Sequence, residues 1–304
     1  MLTRRWVIAA AAFATFAALV PAGAQEPAKS RLKVIASFSI LADFVKNVGG
    51  DRIETATLVG PNGNAHVYAP SPADAKKVAE AKIVFVNGLG FEGWLDRLVK
   101  ASGSKAAIVV ASKGIKPRER GSDHDHDHGQ ADPHAWQSVA NAKIYVANIR
   151  DALTAADPAG KATYEANAAA YLGKLDALER EVRDVIGKVP PERRRVITSH
   201  NAFGYFADAY GVAFTAPQGV STESEASAKD VAAIIAQIKK QKISAVFLEN
   251  VTDPRLVRQI AGETGAKIGG TLYSDALTDD KGDATTYIEL IRHNLKQLAG
   301  ALVG

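Results

Sequence analysis

The chain of 304 residues contains no cysteine. That excludes disulfides, thiolate zinc sites, iron–sulfur clusters and cysteine nucleophiles at once. It also removes the residue on which a bacterial lipoprotein is anchored, so no lipid anchor is expected. No apolar run beyond the first residues approaches the roughly 20 residues needed to cross a bilayer. No basic cluster with interleaved aromatics occurs, which argues against nucleic acid as a partner. Arg193-Arg194-Arg195 is a short basic run after a Pro-Pro turn and reads as a solvated start to a strand. There is no HExxH or comparable helical zinc-hydrolase motif.

The N-terminus has the anatomy of a secretory signal. Arg4 and Arg5 precede an apolar run from Trp6 to Val20, and Pro21-Ala22-Gly23-Ala24 offers a small-x-small cleavage site. Residues 1–24 are therefore expected to be a signal peptide; Thr3-Arg4-Arg5-Trp6-Val7 also hints at a twin-arginine signal. An exported, unanchored bacterial protein belongs in a periplasm. The formal charge of +4 falls towards neutrality once those two arginines are removed. What is left is long enough for two domains or one large one.

Strand and helix patterns alternate through both halves. Leu32 to Phe38, Ile53 to Val59, Ile83 to Val86 and Ala107 to Val110 read as strands. Helices are expected after Ser39, from Ser71-Pro72, and from Phe91 to Lys100. The loop 113–131 interrupts the rhythm; it is long, polar and charged, as functional loops are. A helix over 139–153 comes next. A second, from Asp157-Pro158 to about Lys188, repeats apolar residues every three to four positions. It is either a spine between two domains or a long surface helix. The second half repeats the alternation: strands at 195–199, 212–216, 243–248 and 267–269, with helices at 201–210, 227–240, 253–264 and 283–302. The reading is α/β: two lobes with mainly parallel sheets, 31–156 and 190–304, and a linking helix at 157–189.

Four of the seven histidines fall in one stretch, Gly121 to Trp136 (GSDHDHDHGQADPHAW). Asp123, Asp125 and Asp127 alternate with His124, His126 and His128, and His134 comes alone in Asp132-Pro133-His134. Imidazole and carboxylate suit borderline divalent cations, zinc above all. The alternative is a soluble acidic loop whose histidines only titrate. His66 lies in the loop beyond the second strand, and His200 directly follows the strand at 195–199. Ligands of α/β sheets gather at such carboxyl ends. His293, on the closing helix, has no such context. Zinc wants a fourth ligand; Asp275, after the last strand, is the best candidate and Glu249 the second.

The stretches GNAHVYAPSPAD, ADPHAW, TSHNAFGYFADAYG, QGVSTESEAS and LYSDAL, in that order, resemble the periplasmic solute-binding proteins of zinc and manganese ABC importers, the TroA-like or zinc-uptake family. The resemblance covers essentially the whole chain after the signal. It implies two α/β lobes joined by one rigid helix, metal buried between them, and the ligand set His66, His134, His200 and Asp275. Manganese-type members carry Glu where His200 stands, and the His-rich loop is similar to the zinc-type branch. The implied function is capture of Zn²⁺ and its delivery to an inner-membrane ABC permease, by a monomer that a periplasmic metallochaperone could load. Manganese or mixed Zn/Mn binding is the first rival. A zinc metallohydrolase is the second, disfavoured because four protein ligands leave no open position for water; an adhesin role is a third. Glu249 and Glu225 are expected to orient the imidazoles, and Trp136 and Tyr68 to pack around the cleft. The tract at 123–128 is expected to be a weak accessory collector, and the long helix to restrict opening to modest rocking.

Overall fold

The computed structural model describes residues 31–118 and 131–303. The expected signal at 1–24 lies outside the described residues, as do Asp123, His124, Asp125, His126, Asp127 and His128. The first half contains strands Leu32–Phe38 (β1), Ile53–Val59 (β2), Ile83–Val86 (β3) and Ala107–Val110 (β4). Between them run helices Ser39–Gly49 (α1), Pro72–Glu80 (α2) and Leu95–Ser102 (α3). Then come Val139–Ala156 (α4) and Lys161–Gly187 (α5). The second half has strands Arg195–Ile197 (β5), Ala213–Thr215 (β6), Ala245–Glu249 (β7) and Lys267–Leu272 (β8). Its helices are Gly204–Tyr210 (α6), Ala228–Gln241 (α7), Arg255–Thr264 (α8) and Tyr287–Val303 (α9).

Each half makes one four-stranded sheet in which every pairing is parallel. The orders are β2-β1-β3-β4 and β6-β5-β7-β8. These are the same winding used twice. In each, successive connections leave the first strand in opposite directions, which opens a crevice at its carboxyl end. β3 (IVFV) is buried along its whole length, and so is β1 from Val34 onward, as central parallel strands sandwiched by helices must be.

α5 has 27 residues, about 40 Å of helix. Its buried stripe is Tyr164, Ala168, Tyr171, Leu175, Leu178, Val182 and Ile186. It packs on α1 and α4 of the first half and on α6 and α9 of the second. The expected helix from Asp157 starts later, because Asp157 is taken by Arg52 at 2.7 Å and by the Tyr164 hydroxyl at 2.8 Å. A 3₁₀ turn, Pro158–Gly160, fills the gap. One apolar core runs from Val34 through α5 to Leu302, and a smaller one lies under α7 and α8.

Three other helix starts differ from expectation for local reasons. α3 starts at Leu95 instead of Phe91, because Gly88, Leu89 and Gly90 all take positive φ. There Glu92 folds back to accept from the N–H groups of Asn87 and Gly88. α9 starts at Tyr287 instead of Asp283, because Glu289 accepts from the N–H groups of Thr285 and Thr286. α6 starts at Gly204, since residues 200–203 are bent by the bond from the Ala202 N–H to the His200 carbonyl.

Candidate metal centre

Four side chains converge where the carboxyl ends of the two sheets meet. His66 sits in the loop after β2, His134 just before α4, His200 three residues past β5, and Asp275 three residues past β8. All four are buried, and one ligand atom from each lies within 4.8 Å of the others. His66 Nε2 is 3.3 Å from His134 Nε2 and 3.2 Å from Asp275 Oδ2. His200 Nε2 is 3.2 Å from Asp275 Oδ2, and His134 Nε2 is 3.5 Å from Asp275 Oδ1. Neither Asp275 oxygen makes a well-directed hydrogen bond among the described residues, although both are fully buried. A buried carboxylate facing three imidazoles can hold a divalent cation at their centre.

Each position is fixed by its own loop. Asn64 Oδ1 accepts the His66 N–H, and the His66 and Phe91 rings meet nearly at right angles with their centroids 4.8 Å apart. Asp132 Oδ1 accepts the His134 N–H at 3.0 Å and lies 2.8 Å from His134 Nδ1. Glu249 Oε1 accepts the N–H groups of Ser199 and His200, and its Oε2 is 2.5 Å from His200 Nδ1. A carboxylate on Nδ1 holds a proton there and leaves Nε2 as the inward nitrogen available to an ion. Two of the three imidazoles are held this way.

The electrostatics follow from burial and neighbours. Burial lowers the His66 pKa, only partly offset by Asp275. Burial also acts downward on His200, but Glu249 and Asp275 together outweigh it and hold His200 well above the ordinary imidazole range. Asp275 is pushed up by burial and pulled further down by His200 and His134, so it stays ionised.

Some expected surroundings are not where sequence placed them. Glu249 stands behind His200, but Glu225 is exposed and electrostatically faces Arg255 instead. Tyr68 packs on Trp94, whose Nε1 donates to the Ala65 carbonyl beside His66, and its hydroxyl bonds Asp74 at the start of α2. Trp136 does line the site, its ring 5.3 Å from that of His134. His293 bonds Asp283 and the Thr271 carbonyl, a structural role. Sequence reading missed Asp132 as the partner of His134; its position two residues before the histidine was the available signal.

Two like-wound sheets meeting over a buried three-histidine, one-carboxylate cluster define a metal-binding protein of the two-lobed transport type. Residues 34–301 match the family described as zinc-uptake complex component A, periplasmic (ZnuA). The iron-binding protein YfeA of Yersinia pestis is 34% identical over 294 residues, covering 96% of this chain and 93% of its own. A manganese ABC transporter substrate-binding lipoprotein, PsaA of Streptococcus mitis, is 32% identical over 279 residues, covering 90% and 89%. Among solved structures, the periplasmic zinc-binding protein TroA of Treponema pallidum superposes with a TM-score of 0.84 at 29% identity, covering 90% of this chain and 99% of its own. The manganese-bound periplasmic metal-binding protein of Candidatus Liberibacter asiaticus gives 0.81 at 32%, covering 90% and 100%. The chain belongs to the ZnuA family of periplasmic metal-binding, substrate-binding proteins of ABC transporters. It is the exported metal-binding component of an ABC metal importer, with a membrane permease as partner, and not an enzyme.

Proposed function

We propose that the protein captures Zn²⁺ with His66, His134, His200 and Asp275 and delivers it to its permease for high-affinity zinc import. The carrying observation is the convergence of three imidazole nitrogens and one carboxylate within 4.8 Å in a buried site. Three nitrogens and one oxygen suit zinc's tetrahedral preference better than manganese's preference for oxygen. We read residues 31–156 and 190–304 as the two lobes and 157–189 as their link, with metal binding closing the seam between them. In the same reading a cleavable signal at 1–24 directs export, the protein works as a monomer, and a periplasmic metallochaperone can load it. The tract Asp123–His128 serves as a weak accessory collector.

A second reading, mixed Zn/Mn binding, is favoured by one feature: both oxygens of Asp275 face the cluster, at 3.2 and 3.5 Å from imidazole nitrogens. A bidentate carboxylate would raise both the coordination number and the oxygen share. Competition titration of Zn²⁺ against Mn²⁺ on the purified protein decides between them. Tighter Zn²⁺ binding is expected; Mn²⁺ binding as tight or tighter rejects the zinc assignment.

A further inference from the structure

By chain position the four side chains divide two and two: His66 and His134 from the first half, His200 and Asp275 from the second. The hydrogen bonds divide them differently. The Ser274 carbonyl, one residue before Asp275, accepts from Trp136 Nε1 at 3.0 Å and from Gln137 Nε2 at 2.7 Å. The Leu277 N–H donates to Ser39 Oγ at 3.0 Å, and the Leu277 carbonyl accepts the Asn62 N–H at 2.8 Å. The loop holding Asp275 is thus bonded four times to the first half, on both sides of the ligand. Trp136 and Gln137 lie two and three residues after His134, so one short segment positions two of the four side chains. From the second half the loop receives Asn250, which donates at 3.0 Å to the Ala276 carbonyl and accepts the Ser274 N–H at a long 3.4 Å. It also receives Asn294 of α9, which accepts the Tyr273 N–H and donates to its carbonyl, each at 2.8 Å. α9 is itself bonded to the first half through Tyr287, whose N–H goes to Asp43 and whose hydroxyl goes to the Trp136 carbonyl.

His200 is held the other way. Its N–H goes to Glu249, its carbonyl accepts from Thr198 Oγ1, and it bridges Gln218. All three belong to the second half. Resting on the metal-site reading above, we infer that His66, His134 and Asp275 form one preset three-ligand unit on the first half, and that His200 is the single detachable ligand, arriving and leaving with β5, β7 and Glu249. Gln137 is then a positioning residue for Asp275. Metal release begins with loss of one nitrogen rather than of a nitrogen and an oxygen together.

Amide hydrogen exchange resolved to single residues, on metal-free and Zn²⁺-loaded full-length protein, tests this. The N–H groups of Asn62 and Leu277 report the bonds between the Asp275 loop and the first half. Those of Arg118 and Val139, which donate to Tyr205 and Tyr210 of α6, report the bonds between the first half and the helix beyond His200. Removing zinc should speed exchange at Arg118 and Val139 and leave Asn62 and Leu277 unchanged. The reverse pattern, a common change at all four, or no change overturns the three-plus-one division. In Gln137→Met, Asn62 and Leu277 should join the exchanging set. Co²⁺ dissociation should also quicken about fivefold, the worth of one buried hydrogen bond, and the metal-free unfolding midpoint should fall by no more than that one bond accounts for. Unchanged dissociation refutes the positioning role. A zinc titration on the same samples separates the two readings. Failure to bind one ion per chain refutes the metal centre and this division with it, whereas normal binding with the wrong exchange pattern refutes the division alone.

Discussion

Replacing Glu249 by Gln changes one atom and should disable His200 by choosing the wrong tautomer. In the native site Glu249 Oε1 accepts two backbone N–H groups, from Ser199 at 2.7 Å and His200 at 2.9 Å. Those donors require an oxygen, so the amide of Gln would keep its oxygen there and turn its NH₂ toward His200 Nδ1. Neutral His200 would then accept at Nδ1 and carry its proton on Nε2, the atom that faces the other three side chains. Loss of a partner behind a ligating histidine lowers metal affinity about 10- to 100-fold, roughly 1.4–2.7 kcal/mol. The inverted tautomer places this case at the upper end. The pH dependence should change as well. Glu249 and Asp275, overcoming burial, hold His200 protonated in the metal-free protein, so an incoming ion must expel that proton. Native affinity should therefore rise about tenfold per pH unit from pH 6 upward, until His200 loses its proton without metal. In Glu249→Gln the largest electrostatic support for that proton is gone, and the slope should flatten. Competition with a chromophoric zinc chelator from pH 6 to 8 measures both quantities, and calorimetry in buffers of different ionisation enthalpy counts the proton released. A variant with native affinity and native slope would falsify the assignment of Glu249 as the group that orients His200.

Asp43→Ala removes the carboxylate that accepts from the Tyr287 N–H at 3.0 Å and the Tyr171 hydroxyl at 3.1 Å, tying α1 to α9 and α5. Two buried donors are stranded, and urea unfolding should show a loss of about 2–3 kcal/mol; an unchanged midpoint refutes the clamp. Asp132→Ala should weaken zinc binding about 10- to 100-fold by freeing the His134 ring, and a calorimetric affinity equal to native rejects that. His200→Ala should still bind one ion per chain but less tightly; an undiminished tight site shows that the ligand set is wrong. Deleting Asp123–His128 should leave the tight site's affinity intact, and its loss places the principal ligands in that tract.

The alternation of strand and helix was legible because parallel strands are short runs rich in apolar and β-branched residues, whether buried like β3 or exposed like β4. The spans of β1, β2, β3 and β4 were read to the residue. Helix starts were less legible where a side chain competes for backbone donors: Glu92 delays α3, Glu289 delays α9 and Asp157 delays α5. For α3 and α5 the deciding partner lies across a turn or on another element, so no local pattern marks it, whereas for α9 Thr286 and Glu289 form a capping box that the spacing T-x-x-E displays. The candidate site divides likewise. His66, His134 and His200 stand out as rare residues at loop positions, but Asp275 is one aspartate among many; its place after the last strand made it a candidate beside Glu249, and the resemblance of LYSDAL decided between them. Trp136 could be placed near the site by its neighbour His134. Its grip on Ser274 spans 138 positions and arises only from how the two halves meet.

The repeated winding explains why the site is lopsided. In each half the crevice opens between the first and third strands, and in each a glutamate fills it. Glu249, ending β7, accepts the N–H groups of Ser199 and His200 beyond β5. In the first half Glu92, beyond β3, accepts the Asn87 and Gly88 N–H groups and the Ser37 hydroxyl, and burial raises its pKa. The two glutamates have opposite uses because the first strands of the two halves run into different residues. β5 leads into His200, so Glu249 faces an imidazole. β1 leads into Ser39 and helix α1, so Glu92 finds only neutral donors and serves to shape the turn. That turn carries Asn87, whose side chain donates to the Pro133 carbonyl at 2.9 Å and so steadies the segment bearing His134. The first half therefore commits its crevice to scaffolding and presents His66 and His134 from loops outside it, whereas the second half places His200 directly in its crevice. A rigid platform facing one histidine carried at a switch point is the asymmetry that a reversible metal carrier needs: one side keeps its geometry while the other can withdraw.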